Sequence, residues 1–186
     1  MKSQDADRLI VAFAALLNAQ RVLIVGSQAL HGTHPDPPIA VVEASREVDI
    51  VPLPFEEYER WFYYAHERLG ADSEFDVEHG IYVDMVRDRV PKLPPGWESR
   101  SIERALQIDD SRSVTAVYPE LHDLLVSKLL ANRAQDEAFL RGVTKLGRID
   151  PFVLRERLLS VPLPEEKEPL RGWAFAAIGR CFGLEA

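Results

Sequence analysis

Val22 to Thr33 reads VLIVGSQALHGT, and this stretch decides how the rest of the chain is understood. Four apolar residues, Val22 to Val25, stop at Gly26-Ser27, and a short helix-compatible segment, Gln28 to His31, ends at Gly32-Thr33. The pattern is that of a strand feeding a tight turn into the N-terminus of a helix. Free backbone N–H groups and the positive end of a helix dipole would favour a phosphate at such a place. Gly26 would let the backbone approach a ligand closely, and the Ser27 hydroxyl would donate to a phosphate oxygen. Alone, this junction is ordinary punctuation in an α/β chain, and the strands that follow raise it above that.

In Glu47-Val48-Asp49-Ile50-Val51, strand alternation sends Glu47 and Asp49 to one face while Val48 and Ile50 take the other. A third carboxylate, Asp84, is the only charge in Gly80-Ile81-Tyr82-Val83-Asp84-Met85-Val86 and points away from core-directed Ile81, Val83 and Met85. Three like charges sharing a site raise one another's pKa unless a cation neutralises them. Oxygen-only ligation suits Mg²⁺ or Mn²⁺, held jointly with substrate phosphates.

GSQALHGT followed by SREVDIV resembles the signature of the nucleotidyltransferase (DNA polymerase β-like) superfamily, in which Gly-Ser opens a helix and an acidic-x-acidic strand binds metal. A closer resemblance is to small bacterial nucleotidyltransferase-like proteins of the AbiEii toxin and minimal nucleotidyltransferase type. It is carried by the Asp84 strand, the loop from Leu93 to Arg100 (LPPGWESR) and the helix from Ser127 to Asp136 (SKLLANRAQD), and it extends to near Leu159. The resemblance implies transfer of a nucleoside monophosphate from a nucleoside triphosphate to an acceptor hydroxyl, with Mg²⁺ or Mn²⁺ as cofactor. It implies a tRNA or a cognate partner protein as acceptor, in a toxin-antitoxin type of system. Carried over residue by residue, it gives Gly26 and Ser27 to the triphosphate and Glu47, Asp49 and Asp84 to the metal. Lys128 joins those carboxylates in the catalytic set, and Lys128, Arg133 and Asp136 bind the nucleotide. Glu47 stands where the family more usually has Asp, and the extra methylene displaces a ligand oxygen. That departure keeps a second reading open: a catalytically silent nucleotide-binding protein or an antitoxin-like regulatory partner.

Composition bounds these readings. The 186 residues, 46% hydrophobic and 28% charged, are an ordinary globular composition with length for one sizeable core. The expected organisation is a single domain over 1–186: an α/β (α+β) nucleotidyltransferase-like core with a short mixed sheet over 1–117, and a helical portion over 118–186 packed on it. A net charge of −8 argues against a broadly basic nucleic-acid-binding surface. The bases nevertheless outnumber the acids from Lys128 to Arg157, the best stretch for a nucleic-acid or partner contact, although a solvated helical face explains it as well. One cysteine, Cys181, excludes an intrachain disulfide framework and fits a reducing cytoplasm. The apolar run Leu9 to Leu17 follows Asp5 and Asp7 rather than positive charge and is too short to span a bilayer, so it reads as a buried first helix and no membrane is expected. Oligomeric state is not legible.

Further along, periodicity predicts helices over Asp5 to Ala19 and Phe55 to Leu69, and a three-proline loop over His34 to Glu43. A hairpin is expected from Phe75–Val77 and Ile81–Val86, with further strands over Glu98–Leu106 and Ser113–Val117. From Pro119 the expectation is a helix carrying Leu121, Leu124 and Lys128 on one stripe and running on past Asn132, Arg133 and Asp136. Two more helices, Asp150–Ser160 and Glu165–Cys181, follow. Other chemistries fall away: His31 and His34 lack partners for a zinc shell, no Gly-x-Ser-x-Gly elbow surrounds Ser27, and Gly26 opens no Walker A loop.

Overall fold

In the computed structural model, which describes residues 1–55, 58–86 and 92–184, the apolar run after Gln20 becomes the central strand of a mixed sheet. Strands β1 (Arg21–Val25), β2 (Glu47–Leu53), β3 (Tyr82–Met85), β4 (Ile102–Gln107) and β5 (Ser113–Tyr118) lie in the order β3-β2-β1-β5-β4. β1 is antiparallel to β2 and parallel to β5, β2 is parallel to β3, and β4 is antiparallel to β5. The mixed-sheet α+β class expected from the sequence is the class observed.

All of β1 after Arg21 is buried because both faces of the sheet are covered there, which is why the sequence shows an unbroken apolar run rather than alternation. On one face Val22, Ile24, Val48, Ile50, Val83 and Met85 join the main core. Helices α1 (Ser3–Leu17) and α3 (Tyr58–Leu69) pack there, α1 through Leu9, Ile10 and Phe13 at helical spacing. Glu56 and Glu57, part of the helix expected from Phe55, lie outside the described residues. The opposite face carries a smaller cluster of Leu23, Val25, Val51, Val117 and Trp97.

Three expectations about local structure are corrected. Phe75 to Val77 is not a hairpin strand but lies in helix α4 (Glu74–His79), after the short helix α2 (Ala40–Glu43) that closes the proline loop. The Ser73 hydroxyl accepts the Asp76 N–H (3.2 Å), Gly80 closes the helix in left-handed conformation, and Phe75 packs edge-on against His79 one turn later. Two good caps outweigh a two-residue apolar alternation. Glu98 to Ser101 likewise gives no strand: Gly96 turns the chain into helix α5 (Trp97–Arg100), where the Ser99 and Ser101 hydroxyls bond the carbonyls three residues back. Pro119 precedes rather than opens the next helix, α6 (Leu121–Ala131), whose N-cap is Glu120.

After α6 come α7 (Ala134–Thr144), α8 (Pro151–Ser160) and α9 (Glu168–Phe182). The wholly buried Asp123 of α6 binds Arg100 of α5 (2.9 and 3.1 Å) and Arg157 of α8 (3.0 Å). Arg157 also bonds Glu120, so these charges fix how α5, α6 and α8 meet. Among the described residues no helix is long and apolar enough to cross a membrane.

Candidate active site

The register of β1 on β2 sets Val25 opposite Asp49, and the chain then turns at Gly26 with φ +65°. A Cβ on Gly26 would fall 1.6 Å from Asp49 Oδ2, so only glycine admits the carboxylate at this position. The segment beyond is not the expected helix but one 3-10 turn, Gln28–Gly32, too short to develop a macrodipole. Side chains hold it instead. The buried Gln28 amide donates to the Val42 carbonyl (3.1 Å) and faces His31 Nε2 (2.9 Å), while His31 Nδ1 accepts the Asp36 N–H (3.3 Å). That acceptor role leaves the proton on Nε2, and burial lowers the His31 pKa, so the ring is neutral. Gly32 packs on Tyr118, whose ring leaves no room for a Cβ.

Across β2 and β3 the register pairs Asp49 with Asp84 and Glu47 with Tyr82, all on the face opposite the main core. Asp49 is 7% exposed and has no hydrogen-bond partner among the described residues. Burial, then the charges of Glu47 and Asp84, push its pKa up to about 6. Asp84 is exposed on an edge strand. Glu47 instead accepts the Tyr82 hydroxyl (3.0 Å), and burial together with that bond pushes the phenol up to about 12. The expected cage of three carboxylates is therefore not assembled: among the described residues no group of three His, Cys, Asp or Glu is placed to hold a metal ion. A buried carboxylate without a donor, beside a second one in register, still fits a hard cation, since Mg²⁺ is commonly bound by one or two carboxylates together with substrate phosphates.

Asp49 and Gly26 open into a cavity of about 280 Å³ whose lining also includes Lys92, Lys128, Arg133, Asp136 and Lys167. Three expected residues reach it by a route different from the continuous helix foreseen. α6 ends at Asn132 in left-handed conformation, Arg133 becomes the N-cap of α7, and Asp136 folds back to accept the Arg133 N–H (3.1 Å). The other Asp136 oxygen holds the Lys128 ammonium at 3.5 Å, which also sits 4.6 Å from the Phe139 ring centroid. Asp136 thus positions Lys128 within the structure as it stands. The Asn132 break with Asp three residues after Arg133 was the available signal, as a capping pattern.

Of the residues singled out in the sequence, Gly26, Asp49, Lys128, Arg133 and Asp136 line this cavity; Ser27, Glu47 and Asp84 do not. The Ser27 hydroxyl oxygen accepts the Gln28 amide at 3.4 Å. Lys92 and Lys167 were missed, because single lysines in proline-rich connections carry no periodic signal. Burial and the charge of Lys167 lower the Lys92 pKa, against the opposing charge of Glu166. The basic stretch Lys128 to Arg157 does not make one face. Arg141 pairs with Glu137, Arg155 lies over Phe175, and Arg157 belongs to the Asp123 network.

Two carboxylates in register beside a cavity lined by four cations are complementary in charge to a polyanion carrying a divalent cation. The family described as nucleotidyltransferase of unknown function (DUF6036) matches the chain over residues 8–168. No curated protein and no solved structure matches it.

Proposed function

The chain belongs to this nucleotidyltransferase family, and from that premise we propose that it transfers a nucleoside monophosphate from a nucleoside triphosphate to an acceptor hydroxyl in a Mg²⁺-dependent reaction. The observation that carries this reading is Asp49: a buried carboxylate without a hydrogen-bond donor among the described residues, lodged against Gly26 at the mouth of a cation-lined cavity. Asp49 and Asp84 would hold Mg²⁺, which when bound supplies Lewis-acid polarisation of the phosphates. Lys92, Lys128, Arg133 and Lys167 neutralise the triphosphate and the departing pyrophosphate. Gly26 lets the Asp49 carboxylate lie against the backbone at the edge of the cavity. The acceptor oxygen bonds to the α-phosphorus as the α–β bridge breaks, and the exposed Asp84 carboxylate takes the hydroxyl proton. Asp136 keeps Lys128 aimed throughout.

The resemblance to AbiEii-type and minimal nucleotidyltransferases extends the proposal to a tRNA or a cognate partner protein as acceptor, to a toxin-antitoxin type of system and to a cytoplasmic setting. A second reading, a silent nucleotide-binding or antitoxin-like partner, is favoured by one observation: Glu47, expected as a metal ligand, is engaged by Tyr82.

The test is a thermal-shift titration with each of the four ribonucleoside triphosphates, with and without Mg²⁺. Ligand at about a hundred times Kd adds roughly 2.7 kcal/mol, a visible rise in Tm. A Mg²⁺-dependent shift followed by pyrophosphate release when total tRNA is added supports the enzyme. A shift without turnover on tRNA or a partner protein favours the silent reading, and no shift sinks both.

A further inference from the structure

Beside the cation-lined cavity lies a second groove of about 260 Å³, between the α6–α7 junction and α9. The two share Arg133 and Asp136 in their linings, so they are neighbours separated by those side chains. Their chemistry differs. In the first, Lys92, Arg133 and Lys167 make no ion pair among the described residues, which leaves positive charge for phosphates. In the second, Arg180 is tied to Glu137 by two hydrogen bonds (3.2 and 2.9 Å), so that charge is neutralised internally. Ala174 and Ala177 leave room on the α9 side, and Trp173 stands 60% exposed at the groove with no ring or cation contact among the described residues.

We propose that the nucleoside of the triphosphate occupies this groove, its base stacked on Trp173, while the phosphates occupy the cavity on the far side of Arg133; this rests on the nucleotidyltransferase reading above. A base is neutral and flat, with two apolar faces, and an exposed indole beside small side chains is the surface it matches. The first cavity carries Lys92, Lys128, Arg133 and Lys167 in its lining and is already matched to the triphosphate. Stacking accepts any base, so Trp173 supplies affinity for the nucleoside, while the Asn132 side chain at the same groove is available to read a base edge or a ribose hydroxyl.

The test compares nucleoside triphosphates with inorganic tripolyphosphate, each with Mg²⁺, by tryptophan fluorescence and by direct affinity. The triphosphates should quench Trp173 emission and tripolyphosphate should not. Trp173→Ala should abolish the quench and weaken nucleoside triphosphates by about 5- to 150-fold, the range given by loss of one stacked base, with tripolyphosphate affinity unchanged. Trp173→Tyr should restore most of the affinity, and an unchanged Tm of the free variants shows that folding is not the cause. If Trp173→Ala binds the triphosphates as the wild type does, the groove is not the nucleoside site, although the phosphate cavity stands. If neither triphosphates nor tripolyphosphate bind, both readings fall.

Discussion

The two faces of the sheet are built from alternate residues of the same strands, yet they do opposite things. On the face bearing Val48 and Ile50, the side chains join the main apolar core, which continues into α1 and α3. On the face bearing Glu47, Asp49 and Asp84, five buried side chains cover the middle of the sheet, and the end next to Gly26 carries carboxylates beside a cavity. Packing is completed on the first face and left incomplete on the second, where Asp49 has no hydrogen-bond partner among the described residues while Glu47 is engaged by Tyr82. One residue of strand alternation separates stability from chemistry, so substitutions at adjacent positions should act with opposite sign.

The largest effect is expected at Ile50, which is fully buried. Ile50→Ala removes apolar contacts and leaves a cavity, costing about 2–5 kcal/mol in urea unfolding. Ligand affinity of the fraction that remains folded should be nearly unchanged. A variant as stable as the wild type would show that the helix-covered face is not the closed core described.

Next door, Asp49→Asn should stabilise the ligand-free protein. Burial raises the Asp49 carboxyl from 3.8 to about 6 in the fold, so the native state binds more protons than the unfolded chain between those values. Stability of the wild type therefore falls as pH rises from 3.8 to about 6, and the penalty is complete above that. At about 1.36 kcal/mol per pH unit this amounts to about 3 kcal/mol, which the neutral amide escapes. The stabilising difference should be present at pH 8 and absent below pH 3.8, while Mg²⁺-dependent triphosphate binding is lost at every pH. Equal melting temperatures for variant and wild type at pH 8 would mean that Asp49 is already compensated in the free protein.

The same alternation explains what the sequence disclosed. Strand periodicity assigns Glu47, Asp49 and Asp84 to one face because the rule is local and geometric. It does not disclose that Tyr82 engages Glu47, because that contact depends on the parallel register of β2 on β3. The turn after Gly26 resembled a helix N-terminus, but its shape is set by Gln28, His31 and the backbone of Val42 and Asp36, which no window of a few residues contains. Lys128 and Asp136 were singled out on an assumed continuous helix, and they meet because the helix breaks at Asn132. Helix α4 departs from expectation for a simpler reason: the Ser73 and Gly80 caps are local sequence signals, and they outweigh the brief alternation of Phe75 and Val77.

The smallest effect separates the cations of the carboxylate-bearing face from one another. Lys128 is held by Asp136 and shielded over Phe139, whereas Lys167 is exposed and has no ion pair among the described residues. Both line the cavity, but only Lys167 acts largely through solvent. Its attraction for a triphosphate is therefore weak and screened: Lys167→Ala should reduce affinity roughly fivefold at low ionic strength. The loss should disappear near about 1 M salt, where the Debye length is about 3 Å. Lys128→Ala should reduce affinity more and keep most of its effect in high salt, since a partly buried, hydrogen-bonded cation is screened less. Affinity titrations of both variants across a salt series measure the contrast directly. If the two losses fade in parallel, Lys128 is reached by solvent as freely as Lys167, and the cavity is an open basic surface rather than a shaped phosphate site.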